Sequence, residues 1–346
     1  MPNIDTKLKF LLRPESYGEP HRPVECLETH MSWVFMVGER VFKLKKPICL
    51  PLLDFTSVEA RAHFCREEVR LNGRLAPGIY LDVIALQWCD GVFSLVNQAQ
   101  LPAPGETVDW LVLMRRLPSQ QMLPQMMADH KIRPHHIAGL VTVLGNFYRS
   151  APAVPVSAID YVNRFKDSQA ANRELLLQPD FELPQAARAI DRLDIGMTPC
   201  AELMGERACE QRIVDGHGDL RPDHVCLLAP PVVIDCLEFN PHLRQVDPFD
   251  ELSFLRMECD LADAPWFGAQ LVAGVADALR DHPPAALLHF YAAHRALLRA
   301  RLALSHLLDA RPRTPQKWLP LARRYVERAL LEIDSLNATR TRGRIE

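Results

Sequence analysis

The sequence predicts an α+β chain in two parts: an antiparallel sheet with one helix over residues 1–117, then a mostly helical portion over 118–346. Three observations carry that prediction. Before Pro118 the apolar residues come in short runs separated by turn residues, which is how strands read. After it they recur at helical spacing over long segments. Within the helical part, a block from about Arg212 to Phe254 returns to short apolar runs with acidic residues at their edges.

Taken in order, Val24 to Leu27, Trp33 to Val37 and Arg40 to Lys45 read as strands, the last two joined by Gly38-Glu39 as a tight hairpin. Ser57 to Leu75 carries Phe64, Val69, Leu71 and Leu75 at helical spacing, with Ser57 as N-cap and Pro77 closing the segment. Leu81 to Trp88 and Val92 to Val96 form a second hairpin across Cys89-Asp90-Gly91. Asp109 to Leu117 is the last strand of this part, with a short connector near Met114 to Leu117. Helices are predicted over Pro134 to Ser150, Ala158 to Gln178, Leu183 to Cys209, Pro284 to Leu308 and Pro315 to Leu336, with fraying from Thr339 to Glu346.

Composition excludes several classes. A chain that is 48% hydrophobic and 24% charged is an ordinary globular one. The formal net charge of −3 gives no electrostatic ground for nucleic acid or an anionic membrane as partner. Nine cysteines stand singly, without a C-x-x-C pair, and imply reduced thiols in a cytoplasmic protein rather than a disulfide framework or a zinc site. No run approaches the length of a membrane span, and the amino terminus, with Asp5, Lys7, Lys9 and Arg13, lacks the apolar stretch of a signal peptide.

The chemistry is concentrated in two strings, His217-Gly218-Asp219-Leu220 and Val232-Val233-Ile234-Asp235. Short strand, acidic loop, short strand, turn and a strand ending in Asp should bring the two carboxylates near each other. One carboxylate then serves as base toward a hydroxyl while the other holds a metal carrying a nucleotide's phosphates. Asp219 is the candidate base, with His217 and Gly218 fixing its loop. The alternative is a plain turn with a capping Asp. Asp235 is the candidate metal ligand, because an Asp closing an apolar strand is costly to bury uncompensated; capping the following turn is the other reading.

Lys43, in the run Arg40 to Lys46, is the candidate phosphate contact, preferred to Lys45 on the same strand face; a solvated edge strand is the other reading. Its partner is Glu68 or Glu67, and Glu68 shares the inward face of the helix with Leu71 and Leu75. The turn Glu28 to Ser32 sits where a phosphate-covering loop belongs, with backbone amides and Ser32 or Thr29 as donors, although it contains no glycine; an ordinary turn is the other reading. No G-x-x-x-x-G-K-[ST] occurs, so P-loop chemistry is unsupported. Asp247 and Asp250 are expected to cap the next helix (Glu251 to Glu258) or tether the acidic loop. Arg295, Arg299 and Arg301 are expected on a solvated helical face rather than in an acceptor site.

These residues resemble the aminoglycoside phosphotransferase-like kinases, and most nearly a bacterial subgroup with recurring LKKP, LDF, LN-RLAP-IY, HGDLRP and IDCLEFN strings. Here they stand at Leu44 to Pro47, Leu53 to Phe55, Leu71 to Tyr80, His217 to Pro222 and Ile234 to Asn240. The resemblance covers nearly the whole chain. It implies a bilobal protein-kinase-like fold with a β-rich N-lobe and an α-rich C-lobe, and ATP between the lobes with Mg2+ as cofactors; Lys43 and Glu68, together with Ser32 and Met114, are the nucleotide-binding candidates. It further implies that Asp219 and Asp235 take the base and metal roles, with a small-molecule hydroxyl as phosphoryl acceptor.

One departure stands out: the family's loop has Asn five residues after the base, where this chain has His224. An imidazole there binds a metal of altered preference (Mn2+ over Mg2+), contacts phosphate as a cation, or leaves one metal site empty. Two readings compete with a kinase: a pseudokinase or nucleotide-sensing module without turnover, and a metal-dependent hydrolase built from His217, Asp219, His224 and Asp235.

Overall fold

In the computed structural model, which describes residues 2–50, 52–309 and 312–342, the chain divides into two compact units. The first comprises 1–126 and 224–243, and the second 127–223 and 244–346. The first unit therefore takes in the expected 1–117 portion and adds a later segment that contains Asp235. The fold class is α+β, an antiparallel sheet in the amino-terminal region followed by a helical part.

The first unit opens with α1 (Ile4–Leu11), capped by the Asn3 side chain on the Thr6 amide. This helix was not foreseen. Its Lys7 is buried on β-strand residue Asp109, Nζ to Oδ2 at 2.8 Å, so one charged side chain anchors it to the sheet. Strands β1 (Glu25–Glu28), β2 (Ser32–Val37) and β3 (Arg40–Lys45) form a meander. A small hairpin, β4 (Cys49–Leu50) and β5 (Leu53–Asp54), leads into α2 (Val58–Asn72), and β6 (Tyr80–Cys89), β7 (Val92–Asn97) and β8 (Glu106–Arg115) complete the sheet. The spatial order is β1-β2-β3-β8-β6-β7, antiparallel throughout.

Ser57 caps α2 as expected, accepting from the Ala60 amide. The helix stops at Asn72, short of the expected Leu75, because the chain turns at Gly73 and Arg74. Met114 does not lie in a connector. It pairs with Val41 on one side and Tyr80 on the other, which holds it inside the sheet.

Four two-residue strands follow later in the chain: β9 (Val214–Asp215), β10 (Val225–Cys226), β11 (Val232–Val233) and β12 (Gln245–Val246). The β10–β11 hairpin belongs to the first unit, where Cys226 and Val232 join the apolar cluster of Val83, Ala85 and Val112. β9 pairs with β12 in the second unit.

The remaining helices are α3 (Leu123–Ala128), α4 (Pro134–Ser150), α5 (Ala158–Leu176), α6 (Ala186–Cys209), α7 (Pro248–Leu261), α8 (Pro265–Leu279), α9 (Ala285–Ser305) and α10 (Pro315–Arg342). α5, α6, α7 and α10 pack on α9, whose Leu287, Phe290, Tyr291, Ala293 and Leu297 are fully buried, while α4 and α7 pack on α8. α10 stays helical to Arg342, past the expected onset of fraying, and the last four residues of that expectation lie outside the described residues. Among the described residues no helix is long and apolar enough to cross a membrane.

Candidate active site

Two clusters carry the candidate residues, one in each unit. In the first, strand alternation turns Lys43 and Lys45 of β3 to the face covered by α2. There the fully buried Glu68 receives both: Lys43 Nζ lies 2.8 Å from Oε1, and Lys45 donates to Oε2. Glu67, the other candidate, is turned outward and pairs with Arg70. Lys43 also donates to Asp235 Oδ1 at 2.8 Å, and Lys45 to Glu238, so the chain of charges reads Asp235–Lys43–Glu68–Lys45–Glu238.

Burial works against the Lys43 ammonium, but Asp235 and Glu68 outweigh it and hold its pKa well above the ordinary value. Burial likewise opposes the Glu68 carboxylate, and Lys43 and Lys45 bring its pKa below the usual range. Glu238 goes the other way, pushed up by burial in spite of Lys45. Neither Lys45 nor Glu238 was singled out as a pair. The alternation of the strand flagged Lys45, and no sequence signal linked it to Glu238.

The segment after β11 is pinned by backbone donors. The Asp235 amide donates to Tyr80 Oη at 3.1 Å and the Cys236 amide to Asn72 Oδ1 at 2.9 Å. Asp235 itself has φ of 63°, a left-handed conformation that Asp tolerates better than most side chains. His224, 6% exposed, brings its Nε2 to 3.6 Å from Asp235 Oδ2. Ser32 begins β2 opposite Lys45, and its amide donates to Thr29 Oγ1 at 3.0 Å, closing the 28–32 turn on itself. Met114 is buried in the sheet's apolar cluster.

The second cluster is the acidic loop. Gly216 has no room for a side chain, since an added Cβ would meet Val246 Cγ2 at 2.6 Å and Glu251 Oε2 at 2.8 Å. Gly218 sits at φ +92°, where glycine is favoured. The Asp219 amide donates to His217 Nδ1 at 3.3 Å, and Arg221 Nε approaches Asp219 Oδ2 at 3.0 Å.

The loop is held from α7. The buried Glu251 carboxylate accepts from the His217 amide at 2.9 Å, from the Gly218 amide, and from Tyr148 Oη at 2.9 Å. Burial raises its pKa while these donors pull the other way.

Glu251 was missed as the tether; Asp247 and Asp250 were the candidates for that role. Asp247 is the N-cap of α7, accepting from the Phe249 amide, and it also pairs with Arg207 and receives Tyr291 Oη. Asp250 is no cap. It lies inside the first turn of α7 and pairs with Arg295 at 2.6 Å. That contact corrects the expected solvated face of α9: Arg295 is buried, and Arg299 is largely covered beside Glu258 and Tyr325. Helical spacing gives a face but not its partners, and α7 supplies carboxylates to this one.

No family model matches the chain. Uncharacterised proteins of Mycobacterium tuberculosis and Mycobacterium bovis are 29% identical to it over 304 residues. That match covers 84% of this chain and 56% of those proteins, so the chain spans about half the length of the curated relatives it matches. Among solved structures, a thermostable mutant of the aminoglycoside phosphotransferase APH(4)-Ia aligns with a TM-score of 0.54 and 13% identity, over 94% of this chain and 98% of that one. Choline kinase of Cryptosporidium parvum aligns at 0.51 and 9% identity, over 98% and 95%. Ethanolamine kinase of Plasmodium vivax aligns at 0.50 and 11%, over 96% and 88%. The chain has the protein-kinase-like fold of these structures.

Proposed function

We propose that the chain is an ATP-dependent phosphotransferase that moves the γ-phosphoryl group to a hydroxyl of a small molecule, working in the cytoplasm. The observation that carries this reading is Lys43, whose ammonium bridges Glu68 and Asp235 at 2.8 Å each within a protein-kinase-like fold. A strand lysine held by a helix glutamate suits a nucleotide's phosphates. Asp235, next to that lysine, is the carboxylate that would hold Mg2+. The donor set fits: a hard oxygen at the end of a pinned segment. When bound, the metal neutralises charge on the phosphates. Ser32 and Met114 complete the nucleotide contacts in this reading.

Asp219 orients the acceptor hydroxyl and receives its proton. The acceptor oxygen forms a bond to the γ-phosphorus, the bond from that phosphorus to the β–γ bridging oxygen breaks, and ADP leaves with the electron pair. His217 supports the loop by accepting the Asp219 amide. Glu251 holds the His217 and Gly218 amides and is a positioning residue.

The test is calorimetric titration with ATP and Mg2+, comparing the wild type with Asp235→Ala and Asp219→Asn. Asp235→Ala is expected to lose metal-dependent binding. Asp219→Asn should keep nucleotide affinity within a few-fold and lose turnover over an acceptor screen. Absence of nucleotide binding by the wild type with Mg2+ or Mn2+ overturns the proposal. Binding without turnover on any acceptor gives the nucleotide-sensing module its place.

A further inference from the structure

The geometry points to His224 and Asp235 as a mixed imidazole–carboxylate chelate that selects Mn2+ over Mg2+. It rests on the reading of Asp235 as the metal-holding carboxylate and adds which ion it takes. The β10–β11 hairpin builds the pair. Val225 faces Val233 in its ladder, and the ladder runs one step further through the Ile234 amide, which donates to the His224 carbonyl at 2.9 Å. The ladder thus pairs His224 with Ile234, and Asp235, one residue further on, has its Oδ2 3.6 Å from His224 Nε2. Asp235 lies in the left-handed region, with φ of 63°.

Each carboxylate oxygen of Asp235 meets a neighbour of the first unit. Oδ1 accepts from Lys43, and Oδ2 faces Nε2 of His224 at 3.6 Å. That separation is too long for a good hydrogen bond. Two donors at about 2.1 Å from one ion stand about 3.0 Å apart in cis octahedral positions and about 3.4 Å across a tetrahedral angle. A movement of a few tenths of an ångström thus brings both onto one cation. The imidazole is buried, and its backbone is fixed by the ladder, so it cannot simply swing into solvent.

Mg2+ demands near-ideal octahedral geometry and hard oxygens, whereas imidazole belongs to the transition-metal side of the donor scale. Mn2+ accepts the carboxylate, waters and phosphate oxygens that Mg2+ would take, and it tolerates the nitrogen as well. Two protein donors leave the other coordination positions to waters and phosphate.

The experiment uses the full chain with MnCl2 and no nucleotide, read by pulsed EPR for 14N coupling and by displacement with MgCl2. The wild type should bind Mn2+ with histidine 14N modulation and hold it about tenfold or more tighter than Mg2+. His224→Asn and His224→Gln, each checked for an unchanged urea midpoint, should lose the modulation and most of that preference. Mn2+ bound without 14N coupling, coupling that survives in both variants, or no Mn2+ binding at all overturns the chelate. Nucleotide binding is measured separately. If it fails while the 14N-coupled Mn2+ site is present, the phosphotransferase reading falls and the chelate stands.

Discussion

Replacing Glu251 by Ala removes the acceptor that holds the acidic loop, and its cost can be worked from the contacts. Three donors lose their partner: the His217 amide, the Gly218 amide and Tyr148 Oη, on residues that are all buried. A buried donor left unsatisfied costs about 1–3 kcal/mol. Water admitted into the space of the lost side chain recovers part of this, and one buried charge is removed, so about 3 kcal/mol in total is expected. For a unit of this size that is a fall of about 6–12 °C in the unfolding midpoint. Hydrogen exchange localises the effect, since 3 kcal/mol corresponds to about a hundredfold faster opening at the His217 and Gly218 amides. Glu251→Gln, which keeps one acceptor oxygen, should fall between the two. A midpoint within about 2 °C of wild type, with both amides as protected as before, would refute the tether.

The buried charge chain and one carboxylate of the second unit yield further expectations. Lys45→Met strips Glu238 and Glu68 of a partner whose side chain is 1% exposed, and should cost about 3–5 kcal/mol by urea unfolding. Lys43→Met should cost less, because Asp235 is 46% exposed and water can solvate it; equal losses would contradict this account. Glu332 gives a pH signature. Burial alone would push its carboxyl up, but His289, Arg256 and Arg328 bring it from 4.5 down to about 2. The unfolded chain binds this proton more readily, so the stabilisation is complete above about pH 4.5 and is lost as pH falls toward 2. The stability difference between wild type and Glu332→Gln should therefore shrink by about 2 kcal/mol between pH 6 and pH 3. A gap that is constant across that range would rule the shift out.

Local chemistry made a good part of this molecule legible. Strand alternation placed Lys43 and Lys45 on one face, helical spacing placed Glu68 inward and Glu67 outward, and both are settled within a few residues of sequence. Helices of strong periodicity, such as α4, end where the pattern ends. What escaped depends on distant partners. α1 is held to the sheet by Lys7 on Asp109, and nothing in its own residues announces that contact. α8 was passed over altogether, its small residues packing without a strong periodic signal. Glu251, Asp247 and Asp250 lie within five positions, and sequence alone could not say which one serves the loop, which caps the helix and which meets Arg295. Nor could it show that 224–243 packs with the amino-terminal unit, because a two-residue hairpin carries too little pattern to name its neighbours.

The Glu251 contact has an evolutionary side. It grips the loop through main-chain N–H groups, which every residue except proline possesses. The position of the loop is thus written on a helix rather than in the loop's own side chains. Side chains of the loop such as Asp219 or Arg221 can therefore be substituted while the grip stays intact. Where the loop sits is thus separated from what the loop carries, so its side chains can vary without loss of its frame.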